Sequence, residues 1–257
     1  MSAPTAAAAP APSAAPASSI RRIIPGFAAL SEQGHWDACA IIAEMAAAHA
    51  CPWAVRMWPD VALSNPAAVN AKIVNWRQMY LSASRWTVGH GTTLGNIYWH
   101  LGELHAHLAG YIPTVNSPNL TALHDFVKRH TYHGNPVIIF ISRAYNLTKN
   151  EAGVYGHFVT LGGIDSTLGY VTANGDTLDG LRSAAGAIIP CQWNTWAQLV
   201  AAGINGAIAL DASYAPPAPP SPPAPPVTPP PSDSSPDLHA LAADALSALQ
   251  KLTAALP

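Results

Sequence analysis

The sequence is poor in charge and has no long apolar run. Only 10% of its 257 residues are charged, and 12 Lys and Arg residues nearly balance 14 Asp and Glu residues. Without a basic face or charge cluster, we predict no binding to nucleic acid or to an anionic membrane surface. The apolar runs at 137–141 and 204–210 fall well short of the ~18 residues that a membrane span needs. We therefore predict no membrane span.

Cysteines are scarce, and metal-binding motifs are lacking. The chain has three cysteines, Cys39, Cys51 and Cys191. This odd number argues against a disulfide framework, although a Cys51–Cys191 pair stays open. His100, His105 and His107 form a weak metal motif, because positions 105 and 107 cannot share a helical face and no HExxH or CxxC spacing occurs. We predict no metal or other cofactor, and polar histidines on an aromatic-rich surface.

The two ends of the chain have a biased composition. Residues 1–19 are almost entirely Ala, Pro and Ser, which predicts a disordered tail. A signal peptide is the alternative, but the basic and Leu-rich regions that it requires are missing. Residues 213–234 form a Pro-rich linker that favours an extended conformation, and 235–257 form an amphipathic helix. Its heptad-like leucines predict self-association or a protein partner through 236–256.

Residues 20–212 carry the periodic patterns of one globular domain. Helices are predicted over 38–50, 67–81, 94–108, 119–130 and 195–202. Strands are predicted over 137–141, 157–161, 169–173 and 206–210, with a turn at 162–166. Helices first and a mostly antiparallel sheet afterwards indicate an α+β fold.

Cys39 opens the first helix, where unpaired backbone N–H groups and the helix dipole favour a thiolate. Six residues earlier, Gln33 is placed to donate its amide to a developing oxyanion. A cysteine nucleophile also needs a base that takes the proton of its thiol. We predict that His157, at the start of a predicted strand, is this base. Asn174 or Asp176 would orient that histidine, and Asn174 is favoured because Gly175 interrupts the strand between them.

With these residues assembled, the chain resembles the peptidase C39-like group of papain-fold cysteine peptidases, which are related to bacteriocin-leader peptidases. The resemblance spans 20–212 and rests on the Gln33–Cys39 spacing, the helix before the strand at 137–141, and the Gly-His pair at 156–157. Two departures are Ala40, where the family usually has Gly, and Asn174-Gly175, where it usually has Asp-Pro.

The resemblance implies a papain-like fold and a Cys-His-Asn(Asp) mechanism that hydrolyses a peptide bond. The nucleophile would be Cys39, the base His157, the orienting group Asn174 and the oxyanion donor Gln33. The substrate would be a bacterial cell-wall peptide or a small-residue leader peptide, in a secreted, phage or cell-envelope setting. The alternative is a catalytically inactive papain-like binding or structural module carried on the Pro-rich linker.

The segment that precedes Cys39 contains three candidate residues for the substrate cleft: His35, Trp36 and Asp37. Trp36 is the one expected to wall a substrate subsite. For His35 and Asp37, we predict positions in a solvated loop that leads to Cys39.

Overall fold

The computed structural model describes residues 20–31, 37–58, 66–88, 90–142, 145–146, 151–152, 156–175, 183–184 and 186–215. The chain divides into two units, Met1–Ala215 and Pro216–Pro257. The predicted N-terminal tail, the C-terminal helix and all of the linker after Ala215 lie outside the described residues. So do Gln33, His35, Trp36 and Asp176.

Six helices lie in the described part of the chain: α1 Cys39–His49, α2 Pro52–Met57, α3 Pro66–Ser82, α4 Leu94–Glu103, α5 Leu120–Tyr132 and α6 Trp196–Ala201. Side-chain caps begin three of them, with Thr93, Asn119 and Thr195 each accepting a hydrogen bond from a backbone N–H of the first turn. Among the described residues, no helix has the length and apolar character needed to cross a membrane.

Eleven strands are described: β1 Arg21–Ile23, β2 Ala29–Leu30, β3 Leu108–Ile112, β4 Val137–Ile141, β5 Tyr145–Asn146, β6 Glu151–Ala152, β7 His157–Asp165, β8 Gly169–Ala173, β9 Ile188–Ile189, β10 Gln192–Asn194 and β11 Ile204–Leu210. The main sheet has seven strands in the order β10-β8-β7-β4-β11-β3, with β1 paired to β7. Its pairings are antiparallel. The predicted α+β fold with a mostly antiparallel sheet is thus confirmed.

The main sheet is covered on both faces. On one face, Ile138 and Phe158 pack in a cluster with α1, α3 and α4. On the other face, Ile139 and Val159 pack against α5 and α6. The alternation of side chains along β4 and β7 produces these two cores, and it explains why the β4 sequence is apolar almost throughout.

Helix α1 is the centre of the first core. Sequence periodicity predicts one apolar face for this helix, but every residue from Ala40 to Ala48 is buried, including Glu44. The small alanines allow neighbouring elements to approach from all sides. The helix ends at His49, and Pro52 begins α2, where its missing N–H is not needed for a helical hydrogen bond.

Two predicted boundaries are wrong. The helix predicted over 94–108 ends at Glu103, and Leu108 begins β3; the positive φ of His105, 54°, lies between them and cannot continue a helix. The turn predicted at 162–166 begins later, because β7 continues to Asp165 and the turn occupies 166–168. Its glycines serve close packing: a side chain at Gly163 would collide with the backbone of β1.

Candidate functional site

Cys39 is the first residue of α1 and is half-buried. The preceding residue, Ala38, has no side-chain acceptor to cap the helix. The N–H groups of the first turn are therefore not satisfied by the residue at the cap position. Such a helix start stabilises negative charge, which for this residue means the thiolate form.

Helix α1 crosses the strands that carry the other candidate residues. Thr160 of β7 donates its hydroxyl to the carbonyl oxygen of Ala43 at 2.7 Å. One turn further along the helix, Ala46 packs in a cluster with Ala173 of β8. The helix thus passes from β7 toward β8 as the chain proceeds, and Cys39 lies one turn before the crossing of β7.

His157 and Asn174 are joined by a hydrogen bond in the interior. The distance from Nε2 of His157 to Oδ1 of Asn174 is 2.8 Å. The histidine is 7% exposed and the asparagine 1%. The β7–β8 hairpin brings these residues together, because Asn174 directly follows the last residue of β8 and His157 is the first residue of β7.

This hydrogen bond fixes the state of the imidazole. An amide oxygen can only accept, so Nε2 of His157 carries the proton and donates it to Asn174. In the neutral ring, Nδ1 is then the unprotonated nitrogen and the one that can take a proton from a thiol. The structure therefore contains an oriented imidazole whose Nδ1 is the basic nitrogen.

The other two thiols are in different surroundings. None of the three cysteines forms a disulfide, so the open Cys51–Cys191 pairing does not occur in the structure. Burial, with the nearby Asp211 carboxylate, raises the pKa of the Cys51 thiol, and burial also raises the pKa of Cys191. Both groups are thus held as neutral thiols at neutral pH.

Asp37 is a structural anchor that the sequence did not reveal. The prediction of a solvated loop position is wrong for this residue, which is 8% exposed. Its Oδ2 accepts hydrogen bonds from Nη2 of Arg77 at 2.5 Å and from Nε1 of Trp86 at 3.1 Å. The segment just before Cys39 is thereby tied to α3 and to the loop that follows it. Arg77 also stacks over the Trp86 ring.

His100 is in the core and not on the surface, contrary to the sequence-based prediction. Its Nδ1 lies 3.0 Å from Oε2 of Glu44, and the hydroxyl of Tyr80 donates to Oε1 of Glu44 at 2.5 Å. All three side chains are fully buried. They connect α1, α3 and α4 through one carboxylate. In the part of the chain that the structure describes, no cluster of three or more His, Cys, Asp or Glu side chains could hold a metal ion.

Comparison with known proteins did not identify a relative: no protein-family model matches the chain, and no curated protein matches it.

Proposed function

We propose that residues 20–212 form a papain-like domain of the C39-like kind and act as a cysteine-dependent peptidase or amidase. The observation that carries this proposal is the buried hydrogen bond between His157 Nε2 and Asn174 Oδ1. A surface histidine would need no such partner. A histidine with one nitrogen fixed by an amide and the other left as a base suits general acid–base catalysis.

In the proposed reaction, Nδ1 of His157 takes the proton of the Cys39 thiol and the thiolate attacks an amide carbonyl carbon. The carbonyl oxygen becomes an oxyanion, and the backbone N–H of Cys39 and the amide of Gln33 donate hydrogen bonds to it. His157 then gives its proton to the leaving amine. Water, deprotonated by the same nitrogen, hydrolyses the thioester and restores the thiol.

The proposed substrate is a peptide with small side chains near the scissile bond, either from a bacterial cell wall or from a leader peptide. Trp36 would wall a subsite and His35 would lie beside it. Asp37 is not part of this cleft in the proposal, since its carboxylate is already engaged by Arg77 and Trp86. It would position the loop that carries these residues.

The second candidate is a catalytically inactive papain-like binding or structural module. It is favoured by the two departures from the family pattern, Ala40 directly after Cys39 and Gly175 directly after Asn174.

The test is digestion of a mixed library of small-residue peptides, analysed by mass spectrometry. We expect cleavage by the wild-type protein and none by Cys39→Ser, while Cys51→Ser retains full activity. Trapping of an acyl adduct on Cys39 would identify the bond that is cut. Cleavage that survives in Cys39→Ser would overturn the proposal, and no cleavage of any peptide by the wild type would favour the inactive module.

A further inference from the structure

Phe140 on β4 is the one residue of that strand that is half-exposed, while its neighbours are buried. It is on the same face of β4 as Ile138, and its partner on β7 is Phe158. The rings of Phe140 and Phe158 have centroids 5.1 Å apart and planes at 45°. Phe140 and Cys39 both pack against the core cluster that contains Ile138 and Phe158. The Phe140 ring therefore stands on the face of the sheet that α1 covers.

The path of α1 across the sheet places Cys39 near this ring. Ala43 is bonded to Thr160 of β7, and Ala46 packs with Ala173 of β8, which is the direct partner of Thr160. The helix therefore crosses these strands nearly at right angles. Cys39 precedes Ala43 by about one turn, or ~6 Å of helix, and neighbouring strands are ~4.8 Å apart. Cys39 consequently lies over β4, the strand on the other side of β7.

Phe140 lies between Cys39 and the end of the sheet that carries His157. The β4 residue paired with Thr160 is Ile138, so α1 crosses β4 at Ile138. Phe140 is the next residue on that face, ~7 Å along the strand at about 3.3 Å per residue. The residue after Phe140 is the one that pairs with His157. A substrate held between Cys39 and His157 must therefore pass the Phe140 ring.

Gly156, directly before His157, provides the space in which the Phe140 ring lies. A Cβ added at Gly156 would overlap Cε2 and Cζ of Phe140. The edge of the ring is thus in contact with the backbone of Gly156, which is itself exposed. The surface beside His157 on this face is an aromatic edge over a residue without a side chain, and it has no recess for a large substrate side chain.

We propose that Phe140 is the specificity-determining residue of the site. Its ring is the surface against which the substrate side chain next to the scissile bond must fit, and it admits Gly or Ala and excludes larger residues. This assignment rests on the proposed hydrolase function and names the residue that limits it to small-residue peptides. The ring carries no polar group and selects by size. Without the ring, a recess above Gly156 would take a branched aliphatic side chain.

The first test measures access to Cys39 and needs no substrate. The full-length protein is alkylated with N-methylmaleimide and with N-benzylmaleimide, and the rate at Cys39 is followed by peptide mass spectrometry. The ratio of the benzyl to the methyl rate should rise about tenfold in Phe140→Ala and less in Phe140→Leu. The matched control is Tyr132→Ala, which removes an exposed ring on α5 and should leave the ratio unchanged.

The second test is digestion of a peptide library that contains Gly, Ala, Val and Leu at every position. We expect the wild type to cut next to Gly or Ala, and Phe140→Ala to cut next to Val and Leu as well. An unchanged maleimide ratio in both Phe140 variants would overturn the proposal, and so would a cleavage pattern that does not broaden. A raised ratio with no cleavage by the wild type would refute the hydrolase function alone.

Gly156→Ala tests the contact between the ring and the backbone. In the wild-type background the added methyl group collides with the ring and should lower the urea midpoint. In the Phe140→Ala background the methyl group has room, and the midpoint should not fall further. An equal fall in both backgrounds would overturn the proposed contact. If Phe140→Ala does not fold, Phe140→Leu takes its place in all three measurements.

Discussion

Replacing Asn174 with alanine tests the role of the buried amide. The change removes the acceptor 2.8 Å from Nε2 of His157 and leaves that N–H in an interior site where the histidine is only 7% exposed. An unsatisfied buried donor costs about 1–3 kcal/mol, so the free energy of unfolding should fall by that amount. Urea denaturation measures this directly.

Asn174→Ala should also lower kcat by more than its loss of stability explains. Without Asn174, the two neutral tautomers of His157 redistribute, and the ring no longer holds Nδ1 as the base. Loss of an orienting group costs less than loss of the nucleophile, and we expect a fall of about 10²-fold in kcat for a cleaved peptide. Asn174→Asp should retain most activity, because a carboxylate accepts the same proton.

The matched control is Asn194→Ala, which truncates another buried asparagine in the same sheet, on β10. It should leave kcat unchanged. If Asn174→Ala turns over peptide at the wild-type rate, the hydrogen bond to His157 is purely structural. If Asp176→Ala is the crippling change and Asn174→Ala is silent, the orienting residue is Asp176.

Three further predictions concern the scaffold. Arg77→Gln removes the cation that pairs with the Asp37 carboxylate and should lower the free energy of unfolding, measured by urea denaturation, by about 1–3 kcal/mol. Arg77→Lys should lose less stability than Arg77→Gln, because it keeps the positive charge. An unchanged urea midpoint in Arg77→Gln would show that the ion pair does not anchor the loop. Tyr80→Phe removes the hydroxyl that donates to buried Glu44 and should cost a similar amount, about 1–3 kcal/mol, and a neutral effect would refute that bond. Burial lowers the pKa of His130 below 6.5, so the unfolded chain binds a proton at this histidine more readily than the folded protein does. The contribution of His130 to the free energy of unfolding should therefore be fully present above pH 6.5 and be lost as the pH falls below that value. Urea midpoints measured across pH should fall less at low pH in His130→Gln than in the wild type.

Local patterns predicted the central strands well. The short run of mostly β-branched residues in β4 predicted a buried strand, and two apolar segments around a glycine-rich turn predicted the β7–β8 hairpin. The end of β7 was predicted wrongly because of the same glycines, since Gly162 and Gly163 are typical of a turn in sequence. In the fold they admit the ring of Phe27 and the backbone of β1, contacts that no local pattern contains.

The candidate site was predictable to the extent that it is local. His157 and Asn174 lie 17 residues apart on one hairpin, so strand pairing alone brings them near each other. Asp37 and Arg77 are 40 residues apart on elements that no periodicity connects, and this ion pair was not predicted. Burial of His100 was missed for the same reason, because its partner Glu44 lies on another helix.

The central claim is that His157 activates Cys39. The most direct test is the rate of iodoacetamide alkylation of each cysteine between pH 5 and 9, followed by peptide mass spectrometry, in the wild type and in His157→Ala. The account predicts rapid labelling of Cys39 well below the ~8.5 of a free thiol, slow labelling of Cys51 and Cys191, and loss of the low-pH reactivity of Cys39 in the folded His157→Ala variant. Equal labelling of the three cysteines, or a Cys39 profile that His157→Ala leaves unchanged, would contradict it.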